Sequence, residues 1–341
     1  MSKNIKFINV AGFFWSGSSA VVDLLKEYRN FYECDAEIRF IKDPYGISQL
    51  ESSLVEHWEL INSAAAIADF REMCRKGCRP GNHFYSRAGM GYANRIAKDF
   101  MKLVDEYIAR LTEYTYIADY YHFKFKKSYL KYLIDRYRTG IEFYTNGKLK
   151  VSNRKLRPLC FSHPSQEQFN EATKWFFDAL FHEHAVDDKD TYIVLDQAVS
   201  PSNTQVIHRY FNDSKMIIVD RDPRDMFVSE LRTGAVVGKD VDLKEAGRRF
   251  AIRQKAMRSS MIIDEDVLYI HFEDLVLRYD ETKMKIESFL GLNPTEHITP
   301  RRYLDPSISQ KNAGLWRNYY DQYKEALDSI KDYVPELCYN K

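Results

Sequence analysis

The stretch Phe-Ile-Asn-Val-Ala-Gly-Phe-Phe-Trp-Ser-Gly-Ser-Ser, residues 7–19, decides the fold of this 341-residue chain. It begins with a short apolar run that is typical of a buried strand, and a helical pattern over residues 20–28 follows it. Gly12 and Gly17 lie between the two, with the G-x-x-x-x-G-x-[ST] spacing of a phosphate-binding loop. Glycines permit the tight turn, and amide N–H groups at the start of the helix converge on an anion. The stretch therefore predicts a strand, an anion-binding loop and a helix.

The loop differs from that of nucleoside triphosphatases at one position. Those enzymes carry a lysine where Ser18 stands, and the lysine reaches the β- and γ-phosphates. Without it, the loop suits a nucleotide with a short 5′ anion. The residues expected to contact that anion are Gly12, Trp15, Ser16, Gly17, Ser18 and Ser19. An ordinary Gly/Ser turn between a strand and a helix is the alternative.

The rest of the chain predicts an α/β fold. Apolar runs at residues 191–195, 215–220 and 267–272 alternate with helical patterns, which indicates a mostly parallel sheet covered on both faces. Residues 51–140 are helical in pattern, and Asn146-Gly147 predicts a hairpin between strands 141–144 and 148–151. We therefore expect a P-loop-like three-layer α/β domain over residues 1–50 and 141–341. Residues 51–140 form a helical insertion in this scheme, which we expect to bind the acceptor.

A second anion site is predicted at residues 221–229, Arg-Asp-Pro-Arg-Asp-Met-Phe-Val-Ser. Arg221 follows a strand, and Asp222 can cap the helix that begins near Pro223. Ser229 lies about two turns into that helix, so both side chains can meet on one phosphate at the sheet edge where ligands bind. A charged corner with surface ion pairs is the alternative.

Together these segments resemble the PAPS-dependent sulfotransferases (PAPS is 3′-phosphoadenosine 5′-phosphosulfate). In that family the first loop binds the 5′-phosphosulfate, and an R-x-P-R-D-x-x-x-S-like segment binds the 3′-phosphate, which falls here to Arg221 and Ser229. Residues 269–276 and 289–292 resemble a further structural segment. Residues 310–318 resemble the C-terminal loop that closes over the nucleotide, which assigns to it Lys311, Gly314, Trp316 and Arg317. The resemblance is to carbohydrate-modifying and bacterial-type members rather than to the cytosolic small-molecule branch.

The resemblance implies transfer of a sulfuryl group from PAPS to a hydroxyl, with adenosine 3′,5′-bisphosphate (PAP) as product and no metal. Many members carry Lys or Arg where Trp15 stands. Either another cation supplies the charge, with Arg39, Lys42, Lys311 and Arg317 as candidates, or the rate is lower, or the protein only binds. The cytosolic branch's histidine has no match, and carbohydrate-modifying branches use a glutamate soon after the first helix. Glu37 is therefore the first candidate for the general base, followed by Asp35 and Asp196.

A basic segment suggests the acceptor. Residues 121–157 contain eleven Lys and Arg against two acidic residues, with interleaved tyrosines, in a chain of net charge +1. Cations can hold carboxylates or phosphates while tyrosines stack on sugars, so we expect an anionic glycan or a lipid-linked oligosaccharide, with peripheral membrane contact. A solvated basic helix face is the alternative, and no motif points to nucleic acid.

The remaining features indicate a cytoplasmic protein. No stretch approaches the ~20 apolar residues of a membrane helix, and no signal-peptide pattern is present. Five scattered cysteines do not form a disulfide framework. The competing functions are a P-loop nucleotide kinase or NTPase, and a non-catalytic nucleotide- or glycan-binding protein.

Overall fold

A computed structural model describes residues 4–35, 37–79, 90–118, 128–151, 156–186, 189–232 and 241–339. Its strands are β1 (Asn4–Gly12), β2 (Phe31–Glu33), β3 (Tyr114–Ala118), β4 (Arg157–Phe161), β5 (Asp190–Asp196), β6 (Ser214–Asp220) and β7 (Val267–His271). Its helices are α1 (Ser19–Leu25), α2 (Ile47–Glu51), α3 (Leu60–Gly77), α4 (Tyr92–Arg95), α5 (Phe100–Arg110), α6 (Tyr129–Tyr144), α7 (Gln166–Phe181), α8 (Val206–Tyr210), α9 (Pro223–Arg232), α10 (Leu243–Arg258), α11 (Phe272–Leu277), α12 (Tyr279–Leu290), α13 (Pro306–Ser309) and α14 (Tyr320–Tyr333).

The chain forms two compact units. The first comprises residues 1–39, 94–98 and 177–341, and the second comprises residues 40–93 and 99–176. In the first unit five strands form one parallel sheet in the order β2-β5-β1-β6-β7. Helices cover it on both faces, as the sequence predicts for an α/β fold.

The central strand β1 shows why the sheet forms. Residues 7–12 are all buried, which is typical of a parallel strand covered on both faces. Phe7 packs on one face against the rings of Phe177, Phe181 and Phe211. Ile8 and Val10 belong to the core on the other face, with α1, α11 and α12. The strand register then brings Gly12 opposite Val219 and Val10 opposite Asp196. The carboxyl ends of β1, β5 and β6 therefore meet at one edge of the sheet.

The second unit corrects one prediction. Residues 141–144 are the last turn of α6 rather than a hairpin strand. Asn146 and Gly147 have the positive φ values that a type I′ turn needs, 48° and 75°. Here they end the helix instead, because Gly147 N–H donates to the Glu142 carbonyl and Asn146 N–H to that of Phe143. This is the Schellman pattern, which uses the same left-handed residues as the hairpin turn.

The second unit also contains a sheet that the sequence did not predict. Strands β3 and β4 pair in antiparallel fashion, and β3 lies within residues 51–140, where only helices were expected. In the part of the chain that the structure describes, no helix has the length and apolar character needed to cross a bilayer. The cytoplasmic location stays a prediction.

Candidate nucleotide site

The loop between β1 and α1 has an unusual backbone. Phe14, Trp15 and Gly17 have φ values of 54°, 57° and 81°, and large side chains at positive φ are uncommon. A side chain at Gly17 would collide with the ring of Phe272, which lies 2.6 Å from the position of a Cβ atom. A Cβ at Gly12 would lie 2.1 Å from Ser16 Oγ. Both glycines are therefore required by close packing, and the loop holds a conformation of the kind found at functional sites.

Hydroxyl groups fix this conformation from inside. Ser16 is buried, and its Oγ accepts a hydrogen bond from Phe13 N–H at 3.1 Å. Ser18 Oγ accepts from Gln197 Nε2 at 2.7 Å. Ser16 and Ser18 therefore organise the loop as it stands, while Ser19 is exposed as the first residue of α1.

The loop leaves its amides available for a ligand. Within the described residues, the amide N–H groups of residues 14–19 have no hydrogen-bond partner. Unpaired N–H groups on consecutive residues with left-handed conformations are the basis of backbone anion sites. Such groups need a partner whenever water is excluded from them. The loop is therefore suited to bind an anion.

Arg221 links this loop to the second predicted anion site. It follows β6, is buried, and its Nη1 donates to the Trp15 carbonyl at 3.0 Å and to Ser229 Oγ at 3.3 Å. Its Nη2 donates to the Asn312 carbonyl at 2.5 Å. The guanidinium also lies over the ring of Phe272, which is the ring that packs on Gly17. The two segments predicted to bind anions are thus adjacent, as they must be if both bind one nucleotide.

The charge of Arg221 is only partly compensated. Its Nε has no hydrogen-bond partner among the described residues, although it lies 3.7 Å from Asp225 Oδ2. Burial lowers the pKa of Arg221, and the nearby Asp225 and Glu273 oppose that change. An arginine stays charged under such conditions. A buried guanidinium with a free N–H is a group that a phosphate oxygen can satisfy.

Asp222 and Arg224 hold the corner between β6 and α9. Asp222 caps α9 as predicted, since its Oδ1 accepts from Arg224 N–H at 2.8 Å. The two side chains also form a buried bidentate pair, with Arg224 Nη2 2.5 Å from Asp222 Oδ2. Asp222 N–H in turn donates to Glu273 Oε1 at 2.9 Å. These residues have structural roles that position Arg221.

Asp225 fastens the C-terminal loop to the same corner. Its carboxylate accepts from the N–H groups of Gly314 and Trp316, each at 2.7 Å. Burial raises the pKa of Asp225 to about 6, against the effect of Arg221. Gly314 has φ 72°, and a Cβ there would lie 2.3 Å from Arg317 Nη1. The predicted closing loop therefore lies beside Arg221, with a glycine where the backbone needs one.

The cations of that loop are accessible. Lys311 and Arg317 are exposed, and Arg317 lies over the Trp316 ring, which also contacts Arg224. Of the other two candidates for the missing loop cation, Arg39 is paired with Glu37 at 2.9 Å. Lys42 belongs to the second unit. Lys311 and Arg317 lie on the loop whose Asn312 carbonyl accepts from Arg221, which places them beside the described anion sites.

Two of the three candidate bases, Glu37 and Asp196, lie near the end of β5. Asp196 ends that strand, and its carbonyl accepts from Ile38 N–H at 3.1 Å, so residue 37 lies next to it. Glu37 is exposed. Asp35 is exposed as well, and its backbone carbonyl accepts from Arg95. The structure thus brings Glu37 and Asp196 to the same edge of the sheet as the loop.

Four residues of this region escaped the sequence reasoning, namely Gln197, Asp225, Arg258 and Glu273. Arg258 lies 4.0 Å above the Phe13 ring and pairs with Asp220, which also accepts from the Tyr269 hydroxyl. Arg258 therefore packs against the loop through the Phe13 ring. Of these four residues, only Asp225 and Glu273 lie within segments that the sequence singled out, residues 221–229 and 269–276. The described residues contain no cluster of His, Cys, Asp or Glu that would hold a metal ion.

Comparison with known proteins identifies the family. The model of the sulfotransferase family matches residues 8–296. The chain belongs to the sulfotransferase family. This confirms the predicted PAPS-dependent sulfotransferase and its P-loop-like fold, and it sets aside the kinase and NTPase alternative.

Solved structures similar to this sulfotransferase have low sequence identity to it. The sulfotransferase domain of the Synechococcus PCC 7002 olefin synthase is 12% identical, with a TM-score of 0.42, and the match covers 100% of this chain and 97% of that one. A sulfotransferase from Mycobacterium avium is 12% identical, with a TM-score of 0.37 and coverage of 98% and 76%. A retinol dehydratase in complex with androsterone and PAP is 13% identical, with a TM-score of 0.35 and coverage of 98% and 82%. No curated protein matches the sequence.

Proposed function

We propose that this sulfotransferase binds PAPS across the two adjacent anion sites and transfers its sulfuryl group to a carbohydrate hydroxyl. The observation that carries the proposal is the 3.0 Å hydrogen bond from Arg221 Nη1 to the Trp15 carbonyl. It joins the two anion sites, as a ligand with phosphates on the 5′ and 3′ positions of one ribose requires. The residues present fit that ligand, since the loop supplies unpaired amides and Arg221 an unpaired Nε.

In this proposal each site has a distinct ligand group. The amides of residues 14–19 bind the 5′-phosphosulfate, while Arg221 and Ser229 bind the 3′-phosphate. Lys311, Gly314, Trp316 and Arg317 close over the nucleotide. PAPS supplies an activated sulfuryl group on a phosphate leaving group. The loop amides stabilise the negative charge that develops on that phosphate, and this is the main electrostatic contribution to catalysis in the proposal.

Trp15 leaves the loop without the cation that many family members carry. The Trp15 backbone is used instead, because its left-handed conformation lets the carbonyl accept from Arg221. We propose that Lys311 or Arg317 supplies the missing positive charge, since both are exposed on the loop next to Arg221. Alanine variants of each should lower kcat, and the one that carries the role should lower it more.

We propose Glu37 as the general base that removes the proton of the acceptor hydroxyl. It is exposed and lies beside the end of β5. Glu37→Gln should reduce kcat about 10²-fold, the usual contribution of a positioned base, with little change in PAP affinity. Asp35→Asn and Asp196→Asn are matched controls that should retain most activity. Near-normal kcat in Glu37→Gln together with a large loss in Asp196→Asn would move the assignment to Asp196.

For the acceptor we propose an anionic glycan or a lipid-linked oligosaccharide, bound through residues 51–140 and the basic segment 121–157. The support is the excess of cations in that segment and the exposed rings of Tyr129, Tyr137 and Tyr144. Lys124, Lys126, Lys127, Arg154 and Lys155 of that segment lie outside the described residues. Transfer of labelled sulfate from PAPS to lipid-linked oligosaccharides, acidic polysaccharides and small phenols distinguishes the acceptor classes. Transfer to the phenols alone would reject the glycan.

The nucleotide assignment has a direct test. PAP should raise the melting temperature of the protein by several degrees, and AMP and ATP should raise it much less, because a ligand stabilises the state it binds. Arg221→Lys should abolish most of the PAP effect, since lysine cannot bridge two partners as a guanidinium does. Arg249→Lys, an exposed arginine on α10, is the control and should behave as the unmodified protein. Equal stabilisation by PAP and AMP would contradict the proposal.

A further inference from the structure

Helix α6 presents its apolar residues to solvent. Leu130, Leu133, Ile134, Tyr137 and Tyr144 recur at spacings of three, four and seven residues, so they form one stripe along the helix. Leu130, Tyr137 and Tyr144 are 69%, 73% and 86% exposed, and no residue of the helix is buried. We call these five residues the α6 stripe.

The opposite side of the helix is less exposed and more polar, with Tyr132 among its residues. Asp135, Thr139 and Glu142 lie there, and all three are half-buried. Thr139 Oγ1 also donates to the Asp135 carbonyl at 2.8 Å. A helix on the surface of a globular protein ordinarily places its apolar side inward, so α6 has the reverse orientation. Contiguous exposed apolar surface of this kind marks an interaction site.

Positive charge accompanies the α6 stripe. Lys131 and Arg138 lie along one of its edges at about 100° per residue, and Arg136 lies along the other. Lys148 and Lys150 follow, with the exposed Leu149 and Val151 beside them. Acidic residues in this segment lie on the polar side of the helix instead. An apolar stripe between rows of cations is the pattern of a helix that lies in the plane of a membrane interface.

The charge pattern selects the occupant. Pairing two copies of this surface would place their cations together, and like charges oppose such pairing. An anionic bilayer instead attracts each lysine and arginine near its surface. Tyrosine rings are also suited to the headgroup level, since one end is apolar and the other polar.

We propose that α6 and residues 145–151 bind the surface of an anionic lipid bilayer. The α6 stripe inserts among the lipid headgroups, and the flanking Lys and Arg side chains contact lipid phosphates. The sixteen residues of α6 lie along the interface and do not cross it. The proposal rests on α6 and residues 145–151 and is independent of the nucleotide assignment. It shares Tyr137 and Tyr144 with the proposed acceptor site, and vesicles without glycan test it separately from that site.

The test is co-sedimentation of the full chain with lipid vesicles. Vesicles containing equal parts of phosphatidylcholine and phosphatidylglycerol should bind the protein, and phosphatidylcholine alone should bind it weakly. Added salt should reduce the binding, since screening weakens the attraction between exposed charges. Absence of binding to the mixed vesicles at low salt would overturn the proposal.

Variants separate this surface from others. Leu130→Ser combined with Tyr137→Ser should reduce vesicle affinity by about tenfold or more, and Lys131→Glu with Arg138→Glu should remove the preference for anionic lipid. The control is Ile262→Ser with Ile263→Ser, exposed residues of the first unit that should bind as the unmodified chain does. All variants should have the melting temperature of the unmodified chain, since only exposed side chains are substituted. Equal vesicle binding by the stripe variant and the control overturns the proposal. It is also overturned if the unmodified chain and the control form a dimer and the stripe variant does not.

Discussion

The substitution Glu273→Gln isolates the cost of one buried charge next to the nucleotide site. Glu273 is 2% exposed, and one of its oxygens accepts from Asp222 N–H while the other has no partner among the described residues. Burial raises the pKa of Glu273 to about 7, against the effect of that hydrogen bond. Glutamine keeps the acceptor for Asp222 N–H and carries no charge. The variant should therefore be more stable than the unmodified chain wherever Glu273 is ionised.

The magnitude and its direction follow from proton linkage. Between pH 4.5, the ordinary value for a glutamate, and about 7 the folded state holds a proton that the unfolded chain has released. The free energy of unfolding must therefore fall as pH rises through that interval, and it is highest below it. Over this pH interval the contribution of Glu273 to the free energy of unfolding falls by about 3 kcal/mol. Asp225 contributes in the same direction in both proteins, and its charge is one of the causes that raise the pKa of Glu273.

Urea unfolding at a series of pH values from 4.5 to 8 measures this difference. The stability of Glu273→Gln relative to the unmodified chain should rise with pH by about 3 kcal/mol and then become constant. The matched control is Glu281→Gln, an exposed carboxylate on α12, which should follow the unmodified chain at every pH. A Glu273→Gln curve that runs parallel to the unmodified chain would refute the reasoning.

Three further substitutions test packing, two at the same site and one between α10 and α14 of the first unit. Ser16→Ala should reduce the free energy of unfolding by about 1–3 kcal/mol, since a buried loop amide loses its acceptor; Ser19→Ala, at an exposed position, should leave urea unfolding unchanged. Gly314→Ala should weaken PAP binding about tenfold by calorimetry, since a left-handed backbone costs about 1–2 kcal/mol with a side chain and Arg317 must also move; unchanged affinity would contradict this. Gly247→Ala should lower stability by about 2 kcal/mol, because its Cβ would lie 2.2 Å from the Ala326 carbonyl oxygen; thermal unfolding measures it, and an unchanged melting temperature would disprove the close contact between α10 and α14.

The sheet could be predicted because its strands are short apolar runs with clear boundaries. Residues 191–195 and 215–220 fall within β5 and β6, residues 267–272 cover all of β7 and the first residue of α11, and alternation with helices implied parallel pairing. The hairpin at Asn146-Gly147 was wrong, since two left-handed residues serve a helix end as well as a turn. Strand β3 was missed because its partner β4 begins 39 residues after β3 ends, and pairing at that distance is not a local property.

The two segments expected to bind anions could be recognised because each is continuous in sequence, and anion binding itself stays a prediction. The meeting of Arg221 with Ser229 follows from helix geometry, and its contact with Trp15 follows from the adjacency of β1 and β6. Gln197 and Glu273 could not be predicted, since each acts on a residue far away in sequence. The choice between Glu37 and Asp196 likewise depends on the loop that brings residue 38 to β5. That assignment stays a prediction.

The fastening of the C-terminal loop has a practical consequence. Trp316 is held by its amide on Asp225 and by its indole on Arg224, while Arg221 holds the neighbouring Asn312 carbonyl. In the proposed complex the 3′-phosphate lies beside Arg221, close to the loop that holds Trp316, so its binding would change the surroundings of the indole. Under the proposed assignment, donor binding and product release can be followed in real time through Trp316 fluorescence, without a dye.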